Sequence, residues 1–305
     1  MKYGIMTGSG FDPKPSPAGL ISNAQRLEKM GFDSIWMANH YSYDAINVLS
    51  LIGNCTSTIE LGTAVVPSFP RHPVVIAQQV LTANAACKNR FTLGLGVSHK
   101  FFIEDELGIG YRTPAKHMAE YLDVMMPLIN SRQVDTEGDL YRVKTHIDIT
   151  ETGKPSVLIA ALGPKMLEIA GHNTDGTTLW QTGPVTIEKH TIPTIHQAAT
   201  EAGRPSPRIV TGMPVVLTDN TQKARDAIDE KLKFYGEIPS YRAMLDREGA
   251  VGPGDIAIVG NEQELRQQIQ QLEDIGVTDL NAVLIDVESD SYERTLSFLA
   301  NEKAA

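Results

Sequence analysis

Residues 59–97 read IELGTAVVPSFPRHPVVIAQQVLTANAACKNRFTLGLGV. An apolar run of strand length, Ile59–Val66, stops at Pro67. Beyond Arg71-His72-Pro73, the residues Ile76, Val80, Ala83 and Cys87 recur at spacings of 4, 3 and 4. That is the period of one helix face, not the alternation of a strand. A second apolar run, Phe91–Val97, follows. Strand, helix, strand in this order is the repeating unit of an α/β fold with a parallel sheet.

The unit recurs in both directions. Upstream, a strand over 2–7 precedes a helix beginning near Ser16-Pro17, a hydroxyl cap followed by proline at the first helical position. Leu20, Ala24 and Leu27 share its inner face and Gly31 stops it. A second strand, Asp33–Ala38, leads into a helix over about 43–56. Downstream, Met118, Leu122, Met125 and Ile129 align on a helix near 115–130, and residues 131–155 break the rhythm as an inserted loop or small hairpin. Strand five is Val157–Ala161, with a helix from Pro164; strand six lies at about 175–180, with a helix over 186–202. Strand seven, Arg208–Leu217, precedes an excursion with helices near 221–235 and 239–247. Asn261 and Glu264 then form a capping box for a helix whose apolar face is Leu265, Ile269 and Leu272, ended by Gly276. Strand eight is Asp279–Ile285, and a last helix starts near 291. Eight such units in 305 residues make a single-domain (β/α)8 barrel over 1–305, with insertions after strands four and seven.

Composition narrows the function. Lys and Arg number 27 against 37 Asp and Glu, a formal charge of −10, so the chain lacks the basic footprint that nucleic-acid binding needs. No window reaches the roughly 18 apolar residues of a membrane span, and the N-terminus runs into a strand without a signal-peptide core. The expected location is the cytoplasm. Cys55 and Cys87 fall in helical patterns and read as two buried, reduced thiols, without support for a disulfide or a metal site.

In a barrel of this kind the active site lies at the C-terminal ends of the strands. Strand one is followed there by Thr7-Gly8-Ser9-Gly10-Phe11, with no histidine pair for a metal hydrolase. A glycosidase would need facing carboxylates, and Asp219 and Asp286 are those left to weigh. Neither a serine-hydrolase elbow nor a phosphate-binding P-loop occurs. What remains fits the binding of a large cofactor. Proline at the first helical position makes Gly163 the cap of the helix after strand five, leaving the N–H groups of Lys165 and Met166 open to an anion. An ordinary turn with water on those donors fits the motif equally. His40, after Asn39, suits proton donation or a wall beside a ring, or else a structural loop position. Arg71-His72-Pro73 reads as a helix-opening motif. Ser98-His99 follows small residues that let a ligand approach, and Trp36 and Trp180 read as packing residues. The insertions at 99–114, 131–155 and 236–255 would form the substrate pocket, but they carry no motif that names a substrate.

Taken together, the segments Gly31-Phe32-Asp33-Ser34-Ile35-Trp36, Leu61–Pro67 with Arg71-His72-Pro73, Arg90–Gly96, Ala160–Leu167, Ala170-Gly171 and Asp175-Gly176 resemble the bacterial-luciferase-like monooxygenases. Within that family the resemblance is to the flavin- or deazaflavin-dependent oxidoreductases, and it spans roughly residues 1–285. It implies a TIM barrel that holds coenzyme F420, or alternatively FMN, at the strand C-termini, with the phosphate near the helix after strand five. It implies cofactor contacts at Asn39, Ala64, Val65, Ser98, His99, Ala161, Gly163, Pro164, Lys165 and Met166, and a non-prolyl cis peptide at Ala64–Val65. The family's Asp-His pair after strand two is matched by Asn39-His40. The missing carboxylate leaves only ring contact and proton transfer to carry over to His40, which is expected to be neutral near pH 7.

The resemblance thus implies hydride exchange between F420 and a small organic substrate, with His40 as the catalytic residue. An FMN-dependent monooxygenase using O2 and reduced flavin is the alternative. A non-catalytic flavin-binding protein is the reading from another class. The partners implied are a small-molecule substrate, a second copy of the chain in a homodimer and a separate flavin or F420 reductase; neither nucleic acid nor membrane is among them.

Overall fold

Local sequence signals account for where each element begins. The computed structural model describes residues 1–8 and 16–304, so the stretch Ser9-Gly10-Phe11 lies outside the described residues. β1 (Lys2–Thr7) leads to α1 (Pro17–Lys29), where the Ser16 hydroxyl accepts the Gly19 N–H at 3.1 Å. β2 (Ser34–Met37) leads to α2 (Ala45–Cys55), capped by Asp44. The third strand is divided into β3 (Glu60–Thr63) and β4 (Val66–Pro67), and α3 (Pro73–Ala86) is capped by His72, whose Nδ1 accepts the Val74 N–H at 3.3 Å. After β5 (Phe91–Gly96) come a π-helical turn over Phe101–Glu106 and α4 (Pro114–Ser131). The expected hairpin follows as β6 (Gln133–Glu137) and β7 (Arg142–His146), paired antiparallel.

The second half continues with β8 (Ser156–Ile159), α5 (Pro164–Asn173) and β9 (Gly176–Trp180). The helix expected over 186–202 is divided into α6 (Pro184–Thr186), a π-helical turn and α7 (Ile192–Glu201). β10 (Arg208–Leu217) is followed by α8 (Thr221–Glu237) and α9 (Pro239–Glu248), then a short strand that the sequence reading lacked, β11 (Ile258–Gly260). The capping box opens α10 (Glu262–Asp274) as expected, and β12 (Asp279–Leu284) and α11 (Ser291–Ala304) end the fold.

Eight of the strands close a parallel ring in the order β1, β2, β3, β5, β8, β9, β10, β12 and back to β1. β11 lies outside the ring beside β10. One face of each strand packs against the helices, where Ile5, Ile35, Leu61 and Leu93 are fully buried. The other face fills the barrel, with Met6, Trp36, Leu158, Val210 and Val283 in contact there. At the N-terminal end, Arg208 bridges Glu60 and Asp279 and lies over the Trp36 ring, 5.6 Å from its centroid. Thr92 donates to Glu60 at 2.6 Å. The charges of the interior are therefore paired at the base, away from the mouth.

Two expectations are corrected here. Cys87 is buried, but Cys55 is exposed, because the buried stripe of α2 runs through Leu49 and Ile52 to Thr56 and leaves Cys55 on the solvent side. Trp36 packs as expected, its Nε1–H donating to Ser34 at 2.9 Å, whereas Trp180 at the end of β9 packs against the barrel filling and also forms part of a cavity wall. Among the described residues no helix is long and apolar enough to cross a membrane.

Candidate active site

The strand C-termini open into a cavity of about 930 Å³. The gap between β3 and β4 forms one wall with Ala64 and Val65, and the peptide joining them is cis. The Thr63 hydroxyl replaces backbone pairing at this point: it donates to the Gly94 carbonyl at 2.8 Å and accepts the Gly94 N–H at 2.8 Å. A Cβ on Gly94 would stand 2.0 Å from the Thr63 carbonyl oxygen, so only glycine fits opposite the bulge. The Val65 carbonyl in turn accepts the Asn39 N–H at 3.3 Å, tying the bulge to the loop that carries His40.

Asn39 and His40 both line the cavity. The Asn39 Oδ1 accepts the Ala45 N–H at 3.0 Å, so its amide also fixes the start of α2. The carboxylate missing at position 39 has a near neighbour in Asp44, which holds Arg71 in an ion pair of 2.5 Å. His40 meets Phe102 edge-on, with centroids 5.3 Å apart. Burial pushes its imidazole below the usual pKa, outweighing the opposing pull of the Glu106 carboxylate. Glu106 is itself engaged by the Tyr41 hydroxyl.

Ser98 and His99 lie on the same cavity. Ser98 takes a left-handed conformation, φ 60°, and its carbonyl accepts the Tyr111 hydroxyl at 3.0 Å. His99 packs edge-on to Tyr241, 5.3 Å between centroids, and burial together with the nearby His40 lowers its pKa to about 4. Both imidazoles are thus neutral at pH 7.

The residues of the helix after strand five divide. Gly163 and Met166 line the cavity, and a Cβ on Gly163 would meet nothing within 4 Å. Pro164 and Lys165 are exposed at the helix start and are not part of the wall. Ala161 is fully buried among the helices and Ala160 takes the wall position, because neighbouring strand residues point to opposite faces. The expectation of two open donors also needs correction. The Met166 N–H turns back onto the Gly163 carbonyl at 3.1 Å, as first helical turns often tighten, which leaves the Lys165 N–H.

The remaining wall comes from the insertions. The π-helical turn contributes Phe101 and Phe102, α8 and α9 contribute Tyr235 and Tyr241, and β9 contributes Trp180. Phe101, Phe102, Tyr235 and Tyr241 were missed because they belong to no periodic pattern; their concentration around two insertions was the available signal. Asn281, a polar residue in the middle of β12, reaches the same cavity and was also missed. The carboxylates weighed for glycoside chemistry are elsewhere: Asp286 accepts the Ser291 hydroxyl at 2.9 Å, and Asp219 lies in a separate cleft of about 600 Å³ beside α10 and α11.

The luciferase-like monooxygenase family model matches residues 1–279. A 5,10-methylenetetrahydromethanopterin reductase of Methanolobus tindarius is 26% identical over 306 residues, covering 90% of this chain and 93% of its own. Among solved structures, an F420-dependent secondary alcohol dehydrogenase in complex with an F420-acetone adduct superposes with a TM-score of 0.80 at 19% identity, covering 98% of this chain and 97% of its own. The oxygenating constituent of 3,6-diketocamphane monooxygenase of Pseudomonas putida, in complex with FMN, superposes with a TM-score of 0.77 at 16% identity, covering 100% and 98%. Both share the fold of this chain.

Proposed function

The chain belongs to the luciferase-like monooxygenase family, and from that premise we propose that it is a single-domain oxidoreductase that uses coenzyme F420 to exchange a hydride with a small organic substrate. The observation that carries this reading is one cavity on which the Ala64–Val65 bulge, the glycine-capped start of α5 and two neutral imidazoles converge. The residues fit a phosphate-bearing ring system. Gly163 leaves open space at a helix N-terminus, where partial positive charge favours an anion, and Lys165 adds a cation at its rim. Aromatic side chains line much of the rest.

When bound, F420 supplies the hydride acceptor or donor. The chain positions it and handles the proton. A neutral His40 imidazole can take up the substrate's proton as the hydride leaves and return it in the reverse direction, which requires a free ring nitrogen at working pH. Burial provides that state here. We place the reaction in the cytoplasm, with a separate reductase recycling the cofactor.

Fluorescence titration of the purified protein with F420 and with FMN tests the reading. Tight binding of F420 and bleaching of its visible band by a reducing substrate are expected. Preference for FMN with oxygen consumption would replace it with the monooxygenase reading. Tight binding without turnover by any donor would leave a cofactor carrier.

A further inference from the structure

Asn281 stands in the middle of β12 with 1% of its surface exposed, and its Oδ1 is buried with no hydrogen-bond partner among the described residues. Its register neighbours in the barrel wall are Gly4 on β1 and Gly212 on β10, neither of which has a side chain to reach it. It nevertheless lines the cavity, as does Thr178 of β9. The same cavity is lined by the small residues Ala64, Gly96 and Ala160.

A buried carboxamide oxygen without a partner is costly, and folded proteins pair such groups almost without exception. Here the missing partner has to come from whatever enters the cavity. A carboxamide presents an acceptor and a donor side by side, and swapping its two ends only exchanges their places. The matching surface is a planar edge with an N–H next to a carbonyl. An anion is a poor match at this depth, because Arg208 below is committed to Glu60 and Asp279. The pyrimidine part of both flavin and deazaflavin rings carries such an imide edge.

We propose that Asn281 is the group that recognises the imide edge of the cofactor ring, accepting its N–H and donating to the adjacent carbonyl, with Thr178 as the second polar group of the wall. The assignment rests on the cofactor reading above. It separates two tasks along the cavity: the glycine-capped helix start at the exposed rim takes the phosphate, and the buried amide orients the ring.

The test uses F420, FMN and the N3-methylated form of each, titrated by fluorescence into wild-type, Asn281→Leu and Asn281→Ala proteins, with melting temperatures of the cofactor-free forms. Wild-type protein should bind its preferred cofactor at least tenfold more tightly than the N3-methyl form. Asn281→Leu should bind the parent cofactor at least tenfold more weakly and no longer distinguish the two. Its cofactor-free melting temperature should hold or rise, since the variant removes an unpaired buried amide. Should the leucine not be accommodated, Asn281→Ala should show the same loss of affinity and discrimination. Unchanged affinity in a folded variant, equal binding of the N3-methyl form by wild-type protein, or a fall in melting temperature with affinity intact would each overturn the assignment alone. Wild-type protein that binds neither cofactor would overturn the cofactor reading and this assignment with it.

Discussion

Two Gly-Pro pairs open helices after consecutive barrel strands, and their free donors meet different fates. At Gly183-Pro184 the Glu248 carboxylate, brought in by α9, accepts the Val185 and Thr186 N–H groups at 3.0 and 2.7 Å. A Cβ on Gly183 would lie 2.4 Å from that carboxylate carbon. At Gly163-Pro164 no side chain among the described residues caps the helix, and the backbone, φ −80° and ψ 158°, is one that β-branched residues accept. Gly163→Val should therefore leave the melting temperature unchanged and weaken cofactor binding tenfold or more, as loss of a charge-assisted hydrogen bond worth roughly 1.5–3 kcal/mol would do; equal affinity by titration would remove the phosphate assignment. The motif was legible at Gly163-Pro164, but whether a side chain caps such a helix start was not, because a residue like Glu248 is distant in sequence from the helix it caps. His40 has the same limit: its place after strand two and beside Tyr41 was readable, whereas its contact with Phe102 comes from an insertion. His40→Ala should lower turnover roughly 10²–10⁴-fold with cofactor affinity and melting temperature nearly unchanged. Near-normal turnover with a large loss of thermal stability would make it a structural residue.

At the scale of elements, strands and capped helices were legible because periodicity and caps are local. The division of strand three was not. It depends on the Thr63 side chain taking the place of a ladder partner against Gly94, a contact across some 30 residues. The strand starts carry a second device of this kind. Glu60, Arg208 and Asp279 each open a strand, and only ring closure brings them together. Burial alone would raise the Glu60 pKa, but the Arg208, Thr92 and Lys2 contacts outweigh it and hold the carboxyl below its usual range. Removing one partner strands the others' charges, so Arg208→Met should destabilise the fold by about 3–5 kcal/mol in urea unfolding. A loss under about 1 kcal/mol would show the network to be solvated. Because the Glu60 pKa is depressed by folding, its contribution is present above the unfolded carboxyl value and fades as pH falls through the folded one.

The whole molecule thus pairs the charges of its interior at the base of the barrel and gathers aromatic rings and buried imidazoles around the mouth, and the two ends should answer acid at different pH. Around the mouth, burial lowers His40, takes His99 to about 4, and does the same to His117, which stacks on Phe69 with 3.8 Å between centroids and shares a 2.9 Å hydrogen bond with Ser68. For a histidine whose folded pKa is lowered, both states are neutral well above 6.5 and the group contributes nothing there. Between about 6.5 and 4 the unfolded chain binds protons that the folded one refuses, so stability falls with falling pH, by up to about 1.4 kcal/mol per pH unit for each such group. Below about 4 this loss levels off, and the carboxylates of the base take over. Denaturant unfolding at intervals from pH 7.5 to 3.5 should therefore show a first decline that starts near 6.5, well above the range of any depressed carboxyl. His117→Gln, which can still bond to Ser68, should flatten that first decline without altering the second. Turnover should fall with a pKa below 6.5, and that inflection should vanish in His40→Ala while the stability profile keeps most of its shape. A stability curve flat from 7.5 to 5 would mean that these imidazoles are solvated in the folded chain, and the buried neutral imidazole on which the proton-transfer reading depends would not exist.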